Sequence, residues 1–213
     1  MVFPFFTVFF VFVVILAILR SRSTHQEAEK KEAFLERESK ANGTRKVNLD
    51  TLTYLVISPE DYPLSVVSGP KAEEFKARFD ALRQKRMLNL NGLSNTELKL
   101  SYGPANLEAL TAYGDSFSQF TQWIVDYATF LEEQGFLTEA ISVLEKGISL
   151  RSDLSENYIR LANLYQKTSR TDSLRALCGM TDACNTYTKP TVDAHLASLL
   201  SKEDILETSA APS

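Results

Sequence analysis

The sequence predicts an all-α protein, built from antiparallel helical hairpins and preceded by a single transmembrane helix. The first nineteen residues carry no charged side chain, which is typical of a segment that leaves water. From Phe117 onward, apolar residues recur three and four positions apart, in stretches of about 14 to 18 residues that suit amphipathic helices. Turn signals at Gly135, residues 152–153 and residues 169–170 separate these stretches. The two observations predict an anchor followed by stacked helix pairs.

Residues 1–19 form the predicted anchor. As a helix, the apolar run Val2–Leu19 covers roughly 27 Å, close to the bilayer's hydrocarbon thickness of about 30 Å. No Lys or Arg precedes this run, and residues 17–20 make a poor cleavage site, so a retained anchor is favoured over a cleaved signal peptide. Because Arg20 and Arg22 follow directly, the positive-inside rule places the C-terminal domain in the cytoplasm.

Charge is distributed unevenly along the rest of the chain. Residues 20–46, the predicted juxtamembrane stalk, carry eight Lys and Arg against five Asp and Glu, and the remaining residues carry fifteen against twenty-two. The differences are +3 and −7, and an acidic domain argues against nucleic acid as a partner. Residues 25–41 have acid–base pairs at helical spacing, such as Glu27 with Lys31, but no heptads. They therefore indicate a solvated stalk rather than a coiled coil.

An extended arm is predicted over residues 47–69, where apolar residues are interrupted by prolines. A short strand and an irregular segment packed on helices both fit this pattern. A helix is then predicted from Pro70, with Phe75, Phe79 and Leu82 along one face. Its other face is basic, with Lys71, Lys76, Arg78, Arg83, Lys85 and Arg86. We interpret this face as solvated surface, with contact to acidic lipid headgroups as the alternative.

Part of the chain aligns with itself at a fixed shift of 34 residues. The shift places Ile124 on Tyr158, Tyr127 on Leu161, Ala128 on Ala162, Leu131 on Tyr165 and Gly135 on Ser169. Large residues meet large ones and small meet small, and this pattern resembles the tetratricopeptide repeat (TPR). The two copies cover about residues 121–154 and 155–188, and the second departs from the family pattern at Ser169 and Leu174. The resemblance implies an α-solenoid within residues 70–202.

Two repeats cannot bury both of their open faces, so flanking helices are expected to cover them. Helices near residues 70–90 and 104–113 are expected to close one end, and an end-cap helix at 190–201 is expected to close the other. Residues 203–213 are predicted to form a disordered tail.

No catalytic, cofactor or metal site is predicted. His25 lies in the stalk and His195 in the end-cap helix, and the chain has no phosphate loop, GxGxxG or HExxH. Cys178 and Cys184 do not have CxxC spacing, so we interpret them as buried or idle thiols, with a disulfide closing a short loop as the alternative. We therefore do not expect an enzyme.

The TPR resemblance also implies a binding face. In this family the first helix of each hairpin lines a concave surface that receives a peptide or a partner's helix. The corresponding residues are Asp126, Thr129 and Glu133 in the first copy and Arg160, Asn163 and Lys167 in the second. Asn163 and Lys167 lie one turn apart and are able to hold a carboxylate or a peptide backbone, and simple solvated residues are the alternative.

These observations favour a membrane-tethered module that recruits or scaffolds an unidentified protein or peptide at the membrane. One alternative is an accessory subunit that self-associates or joins a larger membrane complex, with Trp123 and Phe130 as contact residues because they lie off the main apolar stripe. Another is an extracytoplasmic binding domain, in which the anchor runs the other way.

Overall fold

The computed structural model describes residues 4–210, and it confirms the predicted all-α class. The described residues contain no strand. The helices are α1 (Pro4–Asn42), α2 (Pro70–Arg83), α3 (Asn95–Tyr102), α4 (Leu107–Glu133), α5 (Leu137–Ser149), α6 (Ser155–Lys167), α7 (Thr171–Cys178) and α8 (Lys189–Ala210). The chain divides into two compact units. The first unit consists of the residues up to Asp50 with Leu93–Leu107, and the second consists of Thr51–Gly92 with the residues from Glu108 onward.

Helix α1 is one continuous helix of 39 residues, whereas the sequence predicts an anchor and a separate stalk helix. It ends at Asn42, where the Asn-Gly pair interrupts helical periodicity. Large apolar side chains near its start are exposed, namely Phe6, Val8, Phe9, Phe10, Val11, Phe12, Val13, Ile15 and Leu16. Residues 1–3 of the predicted anchor lie outside the described residues. In the part of the chain that the structure describes, no helix has the combined length and hydropathy needed to cross a membrane.

Polar contacts join α1 to α3 in the first unit. The Lys99 ammonium and the Thr96 hydroxyl of α3 both donate hydrogen bonds to the Glu38 carboxylate of α1. These two bonds hold the pKa of Glu38 below its ordinary value. Arg37 of α1 forms an ion pair with Glu97 of α3, with 3.5 Å between the Nη2 and Oε1 atoms. Helix α3 is not among the helices predicted from sequence.

Both ends of α3 are specified by local residues. Ser94 and Glu97 form a capping box, in which each side chain accepts a hydrogen bond from the other's backbone N–H. At the other end Gly103 has φ 85°, and a Cβ there would lie 2.8 Å from the carbonyl oxygen of Arg45. The backbone N–H of Val47 donates to the carbonyl of Tyr102 at 3.1 Å. Only glycine allows the chain to pass so closely after α1.

An aromatic core holds the second unit together. Helix α2 covers one side of α4, so that the Phe79 ring lies 4.9 Å from the Trp123 ring and the Phe75 ring stacks on Phe130 at 5.2 Å, centroid to centroid. The Trp123 Nε1–H donates to the backbone carbonyl of Phe75 at 3.1 Å. Trp123 is fully buried and Phe130 is 5% exposed. The expectation that Trp123 and Phe130 face a neighbouring protein is therefore wrong, because α2 packs against both side chains and buries them.

The part of the predicted arm that belongs to the second unit is irregular and packs on the helices. It contains a 3₁₀ turn at Pro59–Asp61. The Tyr62 ring is buried 5.6 Å from the Trp123 ring, and the Tyr127 hydroxyl donates to the backbone carbonyl of Pro63 at 2.9 Å. Of the two alternatives for this segment, the structure has the irregular one.

Two turns at corresponding positions of the aligned copies have the same geometry. After α4, Gly135 has φ 84° and the N–H of Phe136 donates to the carbonyl of Leu131 at 2.9 Å. After α6, Ser169 has φ 55° and the N–H of Arg170 donates to the carbonyl of Tyr165 at 2.8 Å. Both are Schellman caps, in which a left-handed residue ends the helix. Ser169 adopts the same backbone as Gly135 although this conformation is sterically unfavourable for serine.

Helix α5 packs against α6, and α6 packs against α7 and α8. Helix α8 buries Val192, Leu196 and Leu199. It continues to Ala210, whereas the sequence predicts a disordered tail from residue 203. Residues 211–213 of that predicted tail lie outside the described residues. Helix α4 runs from Leu107 to Glu133, whereas the sequence predicts a helix near residues 104–113 and further helical stretches from Phe117 onward.

Candidate functional site

Ion pairs cross the predicted binding face between α4 and α6. Glu132 of α4 lies 3.9 Å from Arg160 and 3.4 Å from Lys167 of α6, measured between the charged atoms. Arg160 also pairs with Glu156 on its own helix at 2.8 Å. The two cations predicted from sequence are therefore already paired with an acid that is not among the predicted residues.

The three predicted residues of α4 have partners as well. Asp126 pairs with Arg78 of α2 at 3.2 Å, and Glu133 pairs with Lys71 of α2 at 3.2 Å. The Thr129 hydroxyl donates back to the carbonyl of Val125 at 2.7 Å. Two of these three side chains thus point to α2 and help to hold it on α4.

Asn163 is bound from another helix. Its Oδ1 atom lies 2.8 Å from Nε2 of His195 in α8. The structure therefore distributes five of the six predicted residues over three sets of contacts, with α2, with Glu132 and with α8, while Thr129 bonds within α4. It does not bring them together around one open space.

The basic face of α2 is largely neutralised. Besides the pairs of Lys71 and Arg78, Lys76 pairs with Glu73 at 2.7 Å and Arg83 pairs with Asp80 at 2.8 Å. Lys85 donates to the amide oxygen of Gln119 at 3.0 Å. These contacts favour the interpretation of this face as solvated surface over binding of lipid headgroups, because most of its charges are compensated within the protein.

An apolar groove lies elsewhere on the second unit, between α5, α6 and α7. Its volume is about 640 Å³. Leu161 and Leu177 form a buried floor, and Ile148 and the half-exposed Met180 lie beside it. The Tyr165 hydroxyl, at the side of the groove, donates to the Glu145 carboxylate at 2.7 Å. Burial, followed by the hydrogen bond to Glu145, raises the pKa of Tyr165 above its ordinary value, so this tyrosine is neutral and bound.

A polar pocket of about 380 Å³ adjoins the groove. The two share Arg151, Asp182 and Ala183 in their linings. The remaining lining residues of the pocket are Asn89, Asn91, Gly92, Asp153, Cys184, Asn185, Thr186 and Tyr187. The buried Nδ2 atom of Asn91 has no hydrogen-bond partner among the described residues. Asn91 therefore lines the pocket, but its unpaired amide nitrogen is buried.

Arg151 lies where the groove and the pocket meet, and the end of α5 fixes its position. Its φ is 58°, and the N–H of Ser152 donates to the carbonyl of Gly147 at 3.0 Å, so Arg151 occupies the left-handed position of a Schellman cap. Asn89 stabilises this turn, because its Nδ2 donates hydrogen bonds to the carbonyls of Leu150 (3.0 Å) and Arg151 (3.2 Å). The guanidinium itself is exposed and forms no ion pair with any residue that the structure describes.

The cysteines do not form a reactive pair. Both thiols are free, and Cys184 is buried with its Sγ 3.8 Å from the carbonyl oxygen of Asp153. Burial raises the pKa of the Cys178 thiol, which disfavours the nucleophilic thiolate. Among the described residues, no group of three His, Cys, Asp or Glu side chains is placed to hold a metal ion.

The groove residues are not identified from sequence, because their spacing is that of an ordinary helical core. Met180 is the one with a usable signal, since it is a large apolar residue within a turn-rich segment. No protein-family model, curated protein or solved structure matches the chain.

Proposed function

We propose that this protein is a membrane-tethered module that binds a partner polypeptide. Membrane attachment is supported by the start of α1, which is a helical stretch without charged residues whose large apolar side chains are exposed. A soluble protein rarely leaves so many large apolar side chains together in water. Residues 2–19 would lie in the bilayer, and the basic flank at Arg20 and Arg22 supports a cytoplasmic C-terminal domain.

The second unit supplies the binding module. We propose that α4–α5 and α6–α7 are TPR-like hairpins, a proposal supported by the matching caps at Gly135 and Ser169. The groove between α5, α6 and α7 is the proposed partner site, because its floor is apolar while its neighbours are polar. The predicted face on α4 and α6 is the weaker candidate, since its charges are paired internally.

The tether is tested by fractionation of cells that express the full chain. We expect the protein to stay in the membrane pellet after a high-salt wash, and we expect the double variant Phe10→Lys/Val13→Lys to appear in the supernatant. The control is Phe34→Lys/Leu35→Lys, on the same helix and also exposed, which should remain in the pellet. Release of the wild-type protein by salt would refute the tether. Protease digestion of intact cells against opened vesicles then decides between the cytoplasmic and the extracytoplasmic orientation.

The partner site is tested by co-purification from crosslinked membranes. A specific partner should be lost in Met180→Glu, which places a charge in the groove, and retained in Val56→Glu, a control whose wild-type side chain is 87% exposed outside the groove. Loss in Asn163→Ala/Lys167→Ala instead, with Met180→Glu unaffected, would move the site to the face predicted from sequence.

A further inference from the structure

We infer that the groove and the polar pocket form one composite site, which selects a partner segment carrying an apolar side chain next to an acidic one. The apolar side chain occupies the groove between α5, α6 and α7, and Arg151 binds the carboxylate at the junction with the pocket. This inference rests on the proposed function and specifies the chemistry of the partner.

Arg151 is available to an external ligand. Three other cations of the second unit, Lys71, Arg78 and Arg160, have ion-pair partners within the protein. The Arg151 guanidinium has no ion-pair partner among the described residues, although Asp153 and Asp182 line the same pocket. A planar guanidinium with free donors binds a carboxylate through two parallel hydrogen bonds.

The backbone directs this cation to the junction. An arginine at a left-handed position is under steric strain that glycine would avoid, and Asn89 adds two hydrogen bonds to the turn. These bonds reduce the motion of the turn, so less entropy is lost when a ligand binds there.

The surrounding charges indicate a single carboxylate rather than a polyanion. Glu145 and Asp182 line the groove, and Asp153 lines the pocket. Asp182 is partly compensated by Lys189 at 3.4 Å, but Asp153 forms no ion pair with any described residue. A phosphate cluster or a nucleic acid would be repelled by these acids, whereas one acidic side chain beside an apolar one meets both Arg151 and the apolar floor.

The inference is tested with random twelve-residue peptides displayed on phage, selected against the full chain in phosphatidylcholine nanodiscs, with empty nanodiscs for counter-selection. Wild-type protein should enrich peptides in which Asp or Glu adjoins an aliphatic or aromatic residue. Arg151→Glu should reverse the preference and enrich Lys or Arg at that position. A selected peptide should bind Arg151→Gln about tenfold more weakly in fluorescence anisotropy, and its Glu→Gln or Asp→Asn analogue should lose a similar factor.

Arg175→Gln is the matched control, an exposed arginine on α7 that does not line the groove, and it should leave affinity unchanged. Circular dichroism establishes that each variant is folded. Two outcomes would overturn this inference and leave the proposed function standing. In one, the binding of the selected peptides requires Met180 but the peptides show no preference for an acidic residue. In the other, the preference for an acidic residue persists in Arg151→Gln. No enrichment over empty nanodiscs would overturn both. Arg151-dependent binding to phosphatidylserine vesicles, without peptide enrichment, would assign the arginine to lipid instead.

Discussion

Each of the two units is stabilised internally by a different kind of interaction. In the first unit, α1 and α3 are joined by ion pairs and by hydrogen bonds to Glu38, and they also bury Ala41 and Leu98. In the second unit, α2 and α4 are joined by aromatic side chains that are almost completely buried, with Trp123 at the centre. Burial of a large apolar side chain supplies about 1.5–3 kcal/mol, whereas an exposed ion pair typically contributes about 0–1 kcal/mol.

This difference in stabilisation fits the proposed roles of the two units, in which the second binds a partner and the first contains the membrane helix. A partner site needs a rigid frame, and the stacked rings of Phe120, Trp123 and Tyr127 provide one. The helix proposed to reach the membrane is instead held by contacts that salt and pH weaken. Substitutions in each unit and a change of pH should therefore affect the two units differently.

The largest effect is expected from Trp123→Ala. Removing the indole leaves a cavity among Phe79, Phe120 and Tyr62 and removes the hydrogen bond to the carbonyl of Phe75, so unfolding of the second unit should become easier by about 3–5 kcal/mol. Urea denaturation followed by circular dichroism measures the change. The control Tyr187→Ala, at a side chain 92% exposed, should change stability by less than about 0.5 kcal/mol. Equal effects of the two substitutions would refute an aromatic core.

A smaller effect is expected from Gly103→Ala in the first unit. The new Cβ would overlap the Arg45 carbonyl at 2.8 Å and would also occupy a backbone region that disfavours side chains. The backbone penalty and the steric overlap together should cost about 2–3 kcal/mol. Amide hydrogen exchange in α3 should accelerate, while exchange in α4 should not.

Gly92→Ala is the matched control for that substitution, since its φ is 82° but nothing lies within 4 Å of the new Cβ. It should show the backbone penalty alone. If Gly103→Ala and Gly92→Ala cost the same, the close passage of the chain after α1 contributes nothing to the first unit.

Much of this fold follows from local sequence, but the pairing of elements does not. Helical periodicity predicts α5 and α6 and the turns at Gly135 and Ser169, because these depend on neighbours in the chain. The burial of Trp123 depends on Phe75 and Phe79, which lie far earlier in the chain, and a helical stripe alone does not reveal that α2 covers it. Helix α3 had a readable signal in the Ser94–Glu97 capping box.

The candidate site was less predictable than the fold. A turn after a helix favours glycine, so there is no reason in the sequence to expect Arg151 in a left-handed conformation. The charges at Arg160 and Lys167 were predicted to be open without reference to their partner Glu132, which lies on the preceding hairpin. Spacing along one helix indicates which side chains share a face, but whether they are already paired depends on the facing helix.

The smallest effects are expected from pH, and they should have opposite directions in the two units. Hydrogen bonds lower the pKa of Glu38 and Glu97, so the stability they add to the first unit is present above the unfolded-state pKa and is lost as pH falls below about 4. Burial raises the pKa of Tyr127 and Tyr158 to about 12. Their contribution to the second unit is present below pH 10 and is lost as pH rises from about 10 to 12.

Trp123 is the single tryptophan, so its fluorescence reports on the second unit, and amide signals of Thr96 and Lys99 report on the first. Acid should perturb the amide signals before the fluorescence, and alkali should change the fluorescence. Glu38→Gln should flatten the acid response, and Tyr127→Phe the alkaline one, because each removes a titrating group whose pKa differs between the folded and unfolded states. A single acid transition shared by both probes would show that the two units unfold together, and the contrast between a polar and an aromatic unit would then have no thermodynamic meaning.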